Sequence, residues 1–168
     1  MAAPFLGFSP HALAFFEELA ANNHKAWFEA HRSDYEEFLL EPLKSLVSAL
    51  AGAMLAIDAE LVTVPGVDKT ISRINRDIRF SADKSPYKTR LWLTFKRRRS
   101  DWKETPCFFF EIRADGYCYG MGFYSAVRET MDRLRAFIET RPDRSARRWT
   151  GWLSRTGSWL KVNVTNAP

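Results

Sequence analysis

Apolar residues recur at helical spacing through the first third of the chain and at strand spacing through its middle. Behind Ser9-Pro10, which reads as an N-cap followed by proline at the first helical position, Leu13, Phe16, Leu19 and Ala20 fall on one side of a helix. Asn22-Asn23 ends it. Asn23 is the expected cap of a second helix carrying Trp27, Phe28, His31 and Tyr35, because its side-chain oxygen can accept from the freed backbone amides. Glu41-Pro42 opens a third, with Leu43, Leu46, Val47, Leu50 and Met54 on one face.

Residues 59–68, holding Pro65-Gly66, read as a turn-rich connection after which β character begins. As a strand, 71–80 places Arg73, Asn75, Asp77 and Arg79 on one face and Ile74, Arg76, Ile78 and Phe80 on the other; Ile71, Ile74 and Ile78 also fit a helical stripe. Residues 81–85 read as a loop, since Pro86 pushes Ser85 toward extended geometry, and the chain there accommodates a short helix or turn through Tyr87. Leu91, Leu93 and Phe95 alternate as a strand, and 97–101 reads as an exposed loop.

The clearest pairing signal is a hairpin, 107–113 and 118–124 around Asp115-Gly116, whose residues suit a tight turn with positive φ angles. With Ala114 opposite Tyr117, Arg113 faces Cys118, Glu111 faces Gly120, Phe109 faces Gly122 and Cys107 faces Tyr124. One face, Phe108, Phe110, Ile112, Tyr119, Met121 and Phe123, is then expected in the core. The other carries Glu111, Arg113 and two glycines that permit close approach. A last helix spans 128–140, with Met131, Leu134 and Ile138 along one side, and periodicity stops after Arg141-Pro142. The expected fold is α+β: N-terminal helices packed on a mostly antiparallel sheet of about four strands, with one later helix.

At 168 residues and 46% apolar composition, one domain with a sizeable core is expected, over 1–140, followed by a basic tail at 141–168. Cys107 and Cys118 have no metal-like spacing and sit at opposite ends of the hairpin, which argues against a disulfide. The first residues lack a signal-peptide pattern, and the longest apolar run, 49–57 broken by Gly52, is too short to span a bilayer, so a soluble cytoplasmic protein without a membrane partner is expected.

The net charge of +5 is unevenly placed: residues 1–68 carry −7, 69–103 carry +9, 104–140 carry −2 and 141–168 carry +5. The basic field is therefore local to the middle. Its centre holds Arg73, Arg76, Arg79, Lys84 and Lys88, with Asp77 and Asp83 placed to orient them and Tyr87 as a hydroxyl donor. Cations in excess of local carboxylates point to an anionic ligand, a phosphate or carboxylate. The same patch, extended by 97–99, would suit a nucleic-acid backbone. A third possibility is a structural or partner-binding domain whose charges pair internally, a lattice of salt bridges fixing a loop. Asp77 and Asp83, six residues apart, are a weak pattern for a general base or metal site.

Elsewhere the chemistry is thin. His24 and His31 lie seven apart, outside the usual zinc spacing on a helix, and read as packing or capping residues. Gly120-Met121-Gly122 lies inside a hairpin strand, so it is no dinucleotide loop. Metal ligands are not expected. No cofactor, catalytic residue or oligomeric state follows from the residues.

Asn22-Asn23-His-Lys-Ala-Trp27-Phe28, Arg32, Tyr35, Pro42, the long motif 73–88 and the stretch 120–124 together resemble the family catalogued as Domain of Unknown Function 2461, over about residues 5–140. The resemblance supplies a family and no mechanism. It also implies a further segment past the last helix, from which 141–168 departs. A truncated or frame-shifted reading of the chain is the expectation there.

Overall fold

The computed structural model describes residues 4–79, 81–98, 105–125 and 127–140, apart from the Ile138 side chain. The expected places of Phe80, Arg99 and Ile138, and the tail at 141–168, lie outside these residues.

Helix α1 (Pro10–Ala21) begins at Pro10 as its sequence dictates, but Ser9 makes no capping hydrogen bond, and its Oγ is buried without a partner among the described residues. Helix α2 (Lys25–Ala30) is capped by His24, whose Nδ1 accepts from the Trp27 N–H at 3.3 Å, and not by Asn23. His31 lies between α2 and α3 (Arg32–Tyr35), with Nδ1 2.8 Å from the Trp27 carbonyl oxygen and its ring stacked on Trp27. Both histidines thus pack or cap, as their spacing suggests.

A π-helical turn (Glu36–Leu40) joins α3 to α4 (Glu41–Ile57). Pro42 explains it. A proline ring clashes with the carbonyl four residues earlier, and the wider turn, in which the Glu41 N–H reaches back to the Glu36 oxygen, makes room without ending the helix. The resulting run, Arg32–Ile57, is long and apolar enough by composition to cross a membrane. Its Leu39, Leu43 and Val47, however, are fully buried in the core.

Three antiparallel strands, β1 (Arg90–Phe95), β2 (Cys107–Arg113) and β3 (Gly116–Gly122), form the sheet in the order β1-β2-β3, and α5 (Arg128–Thr140) follows with the bounds its pattern predicts. The architecture is α+β. Period-two alternation in β1 sends Leu91, Leu93 and Phe95 inward, where they meet Phe16, Leu19, Leu43 and Val47 together with Ile112 of β2. Each such side chain contributes about 1.5–3 kcal/mol when fully buried.

The hairpin register is shifted by two residues from expectation: Arg113 pairs with Gly116, Glu111 with Cys118, Phe109 with Gly120 and Cys107 with Gly122. Only Gly116 has positive φ at the turn, at 130°, so Ala114 and Asp115 turn the chain and the glycine opens β3. A type I′ turn would need positive φ at both central residues. Because the shift is even, each residue keeps its face. The core expectation nevertheless fails on β3: Tyr119 and Met121 are exposed, and among the described elements α1 packs on β2 and α4 on β1. Phe110 stacks on Phe8 and Tyr117 instead.

The stretch 71–80 is not a regular strand. Thr70 and Ser72 bond the backbone of β1, through Thr94 and Trp92, and Ile71 bridges Leu93. Then Asn75 bridges Tyr87, Arg76 N–H donates to the Pro86 oxygen and Lys88 N–H to the Ile74 oxygen. Ile71 and Ile74 are both buried although three apart, which strict alternation forbids, and Ile78 is exposed, which removes the helical stripe as well. Tyr87 therefore sits in a β-bridge and not in a short helix.

Candidate functional site

The 73–88 segment doubles back on itself, and its charges are engaged one by one. Arg73 Nε lies 2.8 Å from Asp68 Oδ1 on the exposed surface. Arg76, the most sheltered of the arginines, sets Nη1 3.0 Å from Asp83 Oδ2 and donates from Nη2 to the Tyr87 carbonyl at 3.5 Å, while its buried Nε has no partner among the described residues. Asp83 is itself held by the Ser85 N–H and Oγ at 2.9 and 2.7 Å, and these bonds, followed by Arg76, keep its carboxyl below the usual range.

Asp77 and Arg79 form a forked pair at 2.9 and 2.7 Å, facing solvent. That fork, with the Arg79 N–H, lowers the Asp77 carboxyl to about 2. Lys84 donates to the Ile78 carbonyl at 2.8 Å. Lys88 donates to the Arg73 carbonyl at 2.7 Å and lies over the Trp92 ring; burial first, then repulsion from Arg73, Arg76 and Arg90, holds its ammonium below the ordinary lysine range. Each of these five cations has a carboxylate or carbonyl partner. The carboxylates orient arginines as their placement suggests, but they do so within the loop.

Arg97 also departs from expectation. Instead of standing at an exposed loop tip it bridges Leu61 and pairs with Asp58 at 2.6 Å and Glu60 at 3.1 Å.

A cleft of about 510 Å³ opens between this segment and the α2–α3 helices. Arg73, Ile74, Asn75, Pro86 and Tyr87 form one wall; Lys25, Glu29, Arg32, Tyr35 and Glu36 form the other. Of the sequence-predicted residues only Arg73 and Tyr87 line it; Arg76, Asp77, Arg79, Asp83, Lys84 and Lys88 do not. Residues 25, 29, 32 and 36 follow i, i+4, i+7, i+11 spacing, a charged stripe that continues along the same helix face. That stripe is the signal of the helical wall carried by the sequence, and the denser charge of the 73–88 motif overshadows it.

Within the cleft, Arg32 grips Glu29 in a fork, Nε to Oε2 at 3.1 Å and Nη2 to Oε1 at 2.7 Å. Phe28 joins the two walls, stacking on Tyr87 at 4.2 Å and lying 5.5 Å from Tyr35. Both tyrosines are buried. Burial pushes the Tyr35 phenol up to about 12 and the Tyr87 phenol upward, Glu36 and Glu29 respectively adding to it. Neither hydroxyl has a hydrogen-bond partner among the described residues, nor do the Lys25 ammonium, the Glu36 carboxylate or the Asn75 side-chain amide.

Across residues 11–156 the chain matches the family described as conserved hypothetical protein (DUF2461), and it belongs to that family. The match runs past residue 140, where the resemblance in the sequence was expected to end. No protein of curated function and no solved structure matches the chain.

Proposed function

We propose that this member of the family binds a small molecule bearing a carboxylate or phosphate in the cleft between α2–α3 and the 73–88 segment, and that the charged segment frames the site more than it contacts the ligand. The observation that carries the proposal is the distribution of satisfied and unsatisfied groups. Every candidate cation of the segment is engaged, whereas the cleft gathers Lys25 and the hydroxyls of Tyr35 and Tyr87, none with a hydrogen-bond partner among the described residues. The rings of both tyrosines are buried while their hydroxyls reach the open cleft, where each can donate to a ligand oxygen in place of water. Arg73 lines the opposite wall with its Nε held by Asp68, and its remaining guanidinium donors add to the site. The volume lies within the range of small-molecule sites.

Recognition of nucleic acid by the same cations is the competing proposal. It draws less support, because Arg73, Arg76 and Arg79 are each paired with a carboxylate.

A thermal-shift screen of the parent, Lys25→Ala and Tyr35→Phe against phosphates, nucleotides, carboxylates and oligonucleotides tests the proposal. A ligand at one hundred times its Kd adds about 2.7 kcal/mol to native stability, which raises Tm by roughly 5–10 °C for a chain of this size. One small anion class should shift the parent and shift both variants less. Oligonucleotides acting alone, with steep salt dependence, would favour the competing proposal.

A further inference from the structure

The helical wall of the cleft carries four charges in alternating order: Lys25, Glu29, Arg32 and Glu36. The inner two close on each other in the bidentate Glu29–Arg32 fork. The outer two, one cation and one carboxylate, form no close ion pair among the described residues and act on the fork only at longer range, Lys25 on Glu29 and Glu36 on Arg32. This wall therefore presents an open positive group at one end and an open negative group at the other. Eleven residues separate them through α2, the turn at His31 and α3, so that at about 1.5 Å per helical residue their Cα atoms lie on the order of 16 Å apart. Two long side chains cover part of that span, leaving a distance suited to ligand charges about 10 Å apart. An α-amino acid is too short for this. Three extended peptide residues, at about 3.3 Å each, are not.

The opposite wall adds a group of matching chemistry. Asn75 is exposed in the cleft, and its side-chain amide, which can donate and accept at once, is without a partner among the described residues. Such an amide is complementary to a peptide group. Resting on the anionic-ligand reading above, we infer that the cleft takes a short linear peptide with free termini, its carboxylate toward Lys25, its ammonium toward Glu36 and a peptide group at Asn75.

Calorimetric titration of the whole chain with trialanine, N-acetyl-trialanine, trialanine amide, inorganic phosphate and acetate tests this. Trialanine should bind most tightly, and capping either terminus should weaken it roughly tenfold or more, as loss of a charge-assisted contact does. In Glu36→Gln, an exposed and conservative change, trialanine and its acetylated form should bind alike. If the acetylated peptide binds the parent as well as trialanine does, or phosphate binds and trialanine does not, the peptide inference falls while the anionic-ligand reading stands. Should none of the anions bind, both fall.

Discussion

Asn23 holds Tyr87 by both of its backbone polar groups: Nδ2 donates to the Tyr87 carbonyl at 3.0 Å, and the Tyr87 N–H donates to Oδ1 at 3.0 Å. A residue placed to cap a helix instead ties the helical wall of the cleft to the wall 64 positions away. Replacing it by alanine strands the Tyr87 N–H in a part-buried setting and leaves its C=O only the 3.5 Å bond from Arg76 Nη2. Asn23→Ala should therefore lose about 1–3 kcal/mol in urea denaturation, whereas Asn22→Ala, which gives up one exposed bond to Glu18, should stay within about 0.5 kcal/mol.

Tyr87 separates packing from recognition. Its ring stacks on Phe28 in the core, while its hydroxyl has no partner among the described residues. Tyr87→Ala should cost about 3–5 kcal/mol of stability, in the range of large aromatic deletions. Tyr87→Phe should leave the denaturation midpoint nearly unchanged and weaken binding of the anion that stabilises the parent.

The two forked or paired arginines of the segment should behave differently. Arg76→Ala removes a sheltered guanidinium that braces Asp83 and the Tyr87 carbonyl, and a loss of about 1–3 kcal/mol is expected. The Arg79–Asp77 fork faces solvent, and Arg79→Ala should stay within about 0.5 kcal/mol despite its short distances. Equal losses from both would contradict the view that the segment is braced from within.

Tyr35 supplies a pH dependence. Its folded phenol is raised from 10 to about 12, so the neutral form is favoured by folding. The associated stability is present in full below pH 10 and is lost as pH rises toward about 12. Absorbance at the phenolate band should show late titration in this window, smaller by one phenol in Tyr35→Phe.

The helices were legible because their limits are local. Pro10, Pro42 and the polar break at Asn22 act through residues a few positions away, and α4 and α5 run over the ranges their apolar spacing marks. Pairing across the sheet was less so. The Asp115-Gly116 dipeptide identifies a hairpin but suits two registers, and the glycine's positive φ at the start of β3 selects the other one. Tyr119 and Met121 carry the alternation of core residues, yet burial depends on which helix lies above them, a long-range fact. The 73–88 motif was visible as chemistry, but the partners of its cations, Asp68 and three backbone carbonyls among them, are set by the fold.

The most direct test of the cleft as the binding site compares ligand-induced Tm shifts in the parent, Lys25→Ala, Tyr35→Phe and Arg79→Ala with the small anion that most stabilises the parent. The expected result is an undiminished shift in Arg79→Ala and a shift cut by at least about half in Lys25→Ala and Tyr35→Phe. A shift abolished in Arg79→Ala and intact in the two cleft variants would place the anion on the outer face of the 73–88 segment and contradict the account.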